Sequence, residues 1–369
     1  MPASGRAAYG LTLSSVAMRT SWLAILLLAC GGGQAPPIGT VSPSEGAQFY
    51  GRYCALCHGE RGEGYAADNA TRLRGQGLLR TASDDLIALA IARGRPHTAM
   101  AGYHESVGGP LSDEQVDRLV AFVREWQTEP SIELSAEPAA GDSENGAILF
   151  GQHCASCHGR LGQGGETAQS VTAYTFLSQA SDAFLRYAIV NGREETEMSA
   201  YGGRLDAQAI EDIVVFLRRF EEEPDVVPRH MAPPSLEEMT VIRHPDGPTP
   251  ALSLREGRFV SSVQVRDALA AHGRIVLLDA RPTSDWLIER LPGALPVPYY
   301  DIEPIIERLP RDGTWIVAYC GCPHAASGEV VDALREAGFE HTAVLDEGIY
   351  HWIVERYPTE EGPLDPAQL

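Results

Sequence analysis

The chain has 369 residues, enough for two or three domains. Its 44% hydrophobic content fits globular domains rather than a polytopic membrane protein. A formal net charge of −21 argues against nucleic acid as a partner, because its phosphates would be repelled, and suits solubility or a basic partner.

At the N-terminus, Arg6 and Arg19 supply a positive region ahead of the apolar run Ser21-Trp22-Leu23-Ala24-Ile25-Leu26-Leu27-Leu28-Ala29, the pattern of a secretory signal. The run is short for a membrane span. Leu27-Leu28-Ala29-Cys30, followed by Gly31-Gly32-Gly33, resembles a bacterial lipobox. That resemblance implies cleavage before Cys30 and lipid attachment to its sulfur; the alternative is an ordinary secretory signal with an incidental cysteine. Either reading takes the protein out of the cytoplasm. The expected location is the periplasmic side of a bacterial membrane, held there by the lipid.

Two Cys-x-x-Cys-His pentapeptides follow, Cys54-Ala55-Leu56-Cys57-His58 and Cys154-Ala155-Ser156-Cys157-His158. This spacing is what c-type haem attachment requires. Two thiols one helical turn apart can each add to a haem vinyl group, and the next residue presents an imidazole to the iron. Zinc would want four ligands, and no second Cys-x-x-Cys follows either motif.

The motifs sit inside a repeat. Gly46-Ala47-Gln48-Phe49-Tyr50-Gly51 leads into the first, and Gly146-Ala147-Ile148-Leu149-Phe150-Gly151 into the second. Gly59, Gly62 and Gly64 match Gly159, Gly162 and Gly164. Ser83-Asp84 matches Ser181-Asp182, Ile91 matches Ile189, Gly94-Arg95 matches Gly192-Arg193, and Tyr103 matches Tyr201. Ser83 and Ser181 are expected N-caps. Val116, Leu119, Val120 and Val123 have helical spacing, as do Ile210, Ile213, Val214 and Leu217. Each unit reads as a small helical domain that a covalent cofactor helps to complete.

The two units resemble class I cytochrome c domains. The resemblance implies an all-α fold, with the motif histidine on one side of the iron and a methionine from a later loop on the other. The repeat selects the methionines: Met100 aligns with Met198, each after a Gly-Arg pair and three residues before a tyrosine. His97 and His104 are rivals at the first site, but neither has a histidine counterpart in the second unit. The implied cofactors are two covalently bound haem c groups. Their iron ligands are His58 and Met100 in one, His158 and Met198 in the other, and Cys54, Cys57, Cys154 and Cys157 are the attachment points. Imidazole plus thioether favours reduced iron and fills both axial positions, which suits electron transfer and disfavours oxygen activation. The family often has proline after the ligand methionine; Ala101 and Ser199 stand here.

The stretch after Gln127 is acidic and lacks helical periodicity, and a longer proline-rich one follows Glu221. Beyond it strands and helices alternate. Ser262 is an expected cap for a helix through Val263, Val265 and Leu269. Ile275–Asp279, Trp315–Tyr319 and Thr342–Asp346 read as buried parallel strands, and a helix is expected from Gly328 to Ala337 with Gly338 as its stop. Cys320 then lies between a strand end and a helix N-terminus, where backbone N–H groups favour a thiolate.

Leu278-Asp279-Ala280-Arg281, Pro292-Gly293-Ala294, Tyr319-Cys320, Ala337-Gly338-Phe339 and Leu345-Asp346-Glu347-Gly348 through Trp352 resemble a rhodanese domain. The resemblance implies an α/β fold in which Cys320 accepts a sulfane sulfur as a persulfide and passes it to a thiophile. The loop departs from the family: Cys320-Gly321-Cys322-Pro323-His324-Ala325-Ala326-Ser327 holds no Arg or Lys. Cys322 could resolve a persulfide on Cys320, or pair with it in an easily reduced disulfide.

The expected organisation is a signal peptide (1–29), tether (30–42), first cytochrome c domain (43–128), linker (129–142), second cytochrome c domain (143–222), proline-rich linker (223–256) and rhodanese-like domain (257–360). One-electron transfer between redox protein partners is the expected function. One rival is a sulfurtransferase or sulfur-compound oxidoreductase using Cys320 and Cys322, with a small sulfur compound as substrate and the haems as electron acceptors. The other is a rhodanese-like domain that serves only to dock a partner.

Overall fold

The computed structural model describes residues 44–67, 70–95, 98–164, 168–221, 232–233, 235–321 and 324–362. The signal sequence, Cys30, His97, Cys322 and part of the proline-rich linker lie outside them.

The first repeat begins with α1 (Glu45–Tyr53), capped by Ser44, and the haem-motif turn α2 (Ala55–His58). Then come α3 (Gln76–Leu79), α4 (Asp84–Arg93) and α5 (Asp113–Arg124). The Ser83 side chain accepts from Leu86 N–H, as expected of an N-cap, and Ser112 and Gln115 close a capping box on α5. The second repeat has the same series: α6 (Ser143–His153), α7 (Ala155–His158), α8 (Tyr174–Leu177), α9 (Asp182–Asn191), capped by Ser181, and α10 (Ala207–Arg218).

The paired glycines that open the repeats allow close helix crossings. A Cβ on Gly46 would lie 2.4 Å from the Arg118 carbonyl oxygen of α5, and one on Gly146 would lie 1.9 Å from that of Asp212 on α10. A matched arginine then closes each domain. Arg124 reaches the Leu79 and Ala82 carbonyls and the Asp84 carboxylate, and Arg218 reaches those of Leu177, Ala180 and Asp182. The repeats are not separate beads, since Ala82 and Leu86 of the first are buried in one core with Phe176, Leu177 and Phe184 of the second. Residues 130–140 carry neither helix nor strand.

The C-terminal domain contains β1 (Phe259–Val260), α11 (Ser262–Ala270), β2 (Ile275–Asp279), α12 (Thr283–Ile288) and β3 (Leu295–Pro296). It continues with α13 (Glu303–Ile306), β4 (Trp315–Tyr319), α14 (Ala325–Glu336), β5 (Thr342–Leu345) and α15 (Gly348–Val354). The five strands form one parallel sheet in the order β1-β5-β4-β2-β3, with Leu278 opposite Ala318. β2 is buried on both faces, which is why it is a continuous apolar run rather than an alternating one.

Two local expectations shift. The cap of α11 is Ser261, whose hydroxyl accepts from Gln264 N–H; Ser262 is already helical, fully buried, and donates its N–H to Glu347. α14 begins at Ala325 rather than Gly328, because His324 takes the left-handed conformation (φ 85°) and the three residues after it tolerate a helix. Gly338 (φ 85°) lies just past its end, as expected of a helix stop. Among the described residues no helix is long and apolar enough to cross a membrane.

Candidate functional site

Each haem motif is presented in the same way. Cys54 and Cys154 are the residues before α2 and α7, so their sulfurs and those of Cys57 and Cys157 lie about one turn apart. Burial pushes the Cys54 thiol up to about 12 and the Cys154 thiol up to about 11, so both are held neutral. The His58 Nδ1–H donates to the Thr71 carbonyl at 2.8 Å, and the His158 Nδ1–H to the Gln169 carbonyl at 2.9 Å. Such a bond fixes the tautomer and turns Nε2 outward as the free ligand atom. Burial lowers both imidazole pKa values, despite those carbonyls, and so favours the neutral form that binds metal.

The methionine loops are duplicates as well. Gly94 (φ 69°) and Gly192 (φ 68°) turn the chain at places where a Cβ would strike the Met100 or Met198 carbonyl. Arg95 N–H donates to the Met100 carbonyl (2.7 Å), and Arg193 N–H to that of Met198 (2.9 Å). The Thr98 and Thr196 hydroxyls each accept from the methionine N–H at 3.1 Å. Met100 and Met198 are both half-buried, and Met100 packs on the same core as Cys54 and Ala55. His104 is engaged elsewhere: its Nδ1 accepts from Ser106 N–H at 3.1 Å, and its Nε2 is 3.1 Å from Asp113.

These pockets fit haem c. They offer two thiols, an oriented imidazole and a nearby thioether. They also bury guanidinium groups that a carboxylate-bearing ligand would pair. Arg95 Nη1, Arg72 Nε and Arg74 Nε are buried without a hydrogen-bond partner, and burial pulls Arg95 and Arg193 down to about 10. The two sites also meet. The Thr71 hydroxyl lies 3.4 Å from the Gln169 side-chain oxygen, so the acceptors of the two histidines touch. Sequence reasoning passed over this pair, because each serves its histidine through a main-chain carbonyl that any residue provides.

At the third site Cys320 leaves β4 buried, at 4% exposure, with its sulfur 3.2 Å from the Ser327 hydroxyl on α14. The helix N-terminus there favours negative charge on the sulfur. His324 bonds the Asp346 carbonyl and lies tilted against the Phe259 ring. Below Cys320, the fully buried Asp279 carboxylate accepts from Arg281 and from the Tyr319 hydroxyl (2.8 Å), which pins the ends of β2 and β4 together. This buried pair accounts for the Asp-Ala-Arg element of the rhodanese resemblance.

The sulfur site faces the first haem pocket. α14 approaches α2 with Cα atoms within 8 Å, and a Cβ on Gly321 would be 3.4 Å from Ala99 Cβ, next to Met100. The Tyr350 hydroxyl donates to the Thr98 carbonyl at 2.7 Å. No motif announces these contacts, which are made by isolated tyrosines and main-chain atoms.

Fold and sites together define a multidomain c-type cytochrome with a rhodanese-like module. A family model described as cytochrome C oxidase, cbb3-type, subunit III matches residues 41–123 and 141–217, and a rhodanese-like domain model matches 262–355. The chain therefore consists of tandem cytochrome c domains, whose cofactor is covalently bound haem c, followed by a rhodanese-like domain. Among curated proteins it is 27% identical to the cbb3-type cytochrome c oxidase subunit CcoP of Azospirillum sp. over 47% of this chain and 60% of that one. It is 37% identical to the dihydro-heme d1 dehydrogenase of Pseudomonas aeruginosa over 23% of this chain and 16% of that one. The matches thus span less than two thirds of these relatives. A solved rhodanese-like domain from Anabaena sp. aligns with 29% of the chain and 80% of its own length, at 26% identity and a TM-score of 0.27.

Proposed function

We propose that the chain is a two-centre, one-electron carrier working outside the cytoplasm. Each cytochrome domain would hold one haem c: Cys54 and Cys57 would attach the first, with His58 and Met100 to bind its iron, and Cys154 and Cys157 the second, with His158 and Met198. Bound haem supplies one-electron exchange between ferric and ferrous iron. The chain's own groups orient the imidazoles, supply the thioethers, pair buried arginines with the carboxylates, and exclude water. The observation that carries this reading is the contact of Thr71 with Gln169 at 3.4 Å, which links the two histidines through one short chain of groups, His58–Thr71–Gln169–His158. Lipid attachment at Cys30 keeps the carrier on a membrane surface, where redox proteins are its partners.

The test is the intact mass of protein matured with the haem-attachment machinery. Two haem additions per chain are expected, with one lost in the C54A/C57A variant and the other in C154A/C157A. A single addition in the unmodified chain contradicts the reading.

A second reading is favoured by the position of Gly321 against Ala99. In it the Cys320 thiolate attacks the outer sulfur of a thiosulfate-like donor, sulfite leaves, and a persulfide remains. Oxidation of the outer sulfur to sulfite, with three waters supplying the oxygens and six protons released, would return the Cys320 thiolate and pass four electrons, one at a time, to the neighbouring first cytochrome domain. Cys320→Ser would abolish haem reduction by sulfur donors and leave the haem spectra intact. No change in reduction supports a rhodanese-like domain that only docks.

A further inference from the structure

The two cytochrome domains share one build, so each is an internal control for the other, and they differ on one face. In the second domain the Tyr201 hydroxyl donates directly to the His153 carbonyl at 2.8 Å, next to Cys154. In the first domain the counterpart Tyr103 donates instead to the Tyr299 hydroxyl at 3.4 Å, and Tyr299 donates to the Tyr53 carbonyl at 2.6 Å. Tyr299 belongs to the rhodanese-like domain. It has inserted itself into the place of a bond that the second domain makes alone.

Two further bonds complete the seal on either side of Met100. Ser284 donates to the Gly102 carbonyl at 2.6 Å, and Tyr350 donates to that of Thr98 at 2.7 Å. The result shows in burial. Tyr53, Ala101, Gly102 and Tyr103 are buried, whereas their counterparts are half-buried (His153 and Tyr201) or exposed (Ser199 and Ala200). Val190, beside Gly202 on the open face, keeps 38% of its surface exposed.

Charge distinguishes the faces too. Where the first methionine loop has Pro96, His97 and Ala99, the second has Glu194, Glu195 and Glu197. Glu195 is paired with Arg72 and the Glu194 carboxylate lies against Gly77, both of the first domain, which leaves Glu197 exposed and in no ion pair among those seen in the described residues. Arg204 on this face lies over the Tyr201 ring at 5.3 Å.

We infer that electron exchange with other proteins runs through the open Ser199–Gly203 face of the second domain. Its partner is a small redox protein with a lysine- or arginine-bearing contact surface. The matching face of the first domain is reserved for the rhodanese-like domain. A second copy of this chain is a poor occupant, since a net charge of −21 on each copy opposes their approach. The inference rests on the two-centre reading.

The experiment uses the full-length holoprotein, pre-reduced and mixed in stopped flow with oxidised mitochondrial cytochrome c, a small lysine-rich probe. E197K is compared with D117K, which reverses one exposed acid of the first domain. Carbodiimide cross-links between the proteins are mapped in parallel. Expected are a fall of about fivefold in the low-salt rate for E197K with unaltered haem spectra, a change within about twofold for D117K, and cross-links at Glu197. An unchanged rate in E197K, an equal fall in the control, or cross-links that map elsewhere or to a second copy of the chain overturns the assignment. A mass showing two haems alongside such a result leaves the carrier reading standing, whereas a mass showing one retires that reading itself.

Discussion

The Tyr299 hydroxyl donates to the Tyr53 carbonyl at 2.6 Å, joining the rhodanese-like domain to the residue just before the first haem cysteine. Tyr299→Phe removes this bond and leaves a buried carbonyl and the Tyr103 hydroxyl unsatisfied. A loss of about 1–3 kcal/mol is expected. It is read as a lower urea midpoint at constant slope, and an unchanged midpoint would show the contact to be energetically idle.

Met100→Ala and Met198→Ala should each lower the potential of one haem and perturb its low-spin spectrum, because the thioether stabilises reduced iron. The duplicated Gly94/Gly192 turns and threonine bonds imply matched effects. A variant that keeps both potentials would remove its methionine from the ligand set.

Gly146→Ala tests the helix crossing that supports the second site. Its Cβ would fall 1.9 Å from the Asp212 carbonyl oxygen, against backbone that cannot rotate aside, so α6 and α10 must separate. The expected cost is about 1–3 kcal/mol in thermal or urea unfolding. A neutral result would mean that the crossing relaxes freely.

Asp285 gives a pH signature. Burial raises its carboxyl from the ordinary 3.8 to about 6; Arg281 opposes the shift and Asp279 adds to it. Between those values the folded chain holds more protons than the unfolded one, so this group's contribution to stability falls as pH rises from about 4 to about 6 and is flat above. Asp285→Asn removes that slope. Stability profiles of variant and wild type should therefore diverge over this window in favour of the variant. Parallel profiles would contradict the assignment.

Much of this was legible in the sequence, because covalent chemistry and turns impose residue types. Cys-x-x-Cys-His, the Gly-Arg pairs before the methionines, the capping serines Ser83 and Ser181, and the apolar runs of β2 and β4 all mark what the structure contains. β1 and β3 were not legible, since two residues carry no period. Nor were the contacts of Thr71 with Gln169, Tyr299 with Tyr53, or Tyr350 with Thr98. They join residues distant in sequence, often through carbonyls, and leave no local pattern.

The proposed carrier holds two haem centres with histidine and methionine ligands in one chain. Spectroscopic potentiometric titration of the holoprotein is the decisive measurement. Two one-electron steps, both low-spin throughout, are predicted, with Met100→Ala and Met198→Ala each displacing a different step. A single step, or a ferric high-spin centre in the unmodified protein, would contradict the account.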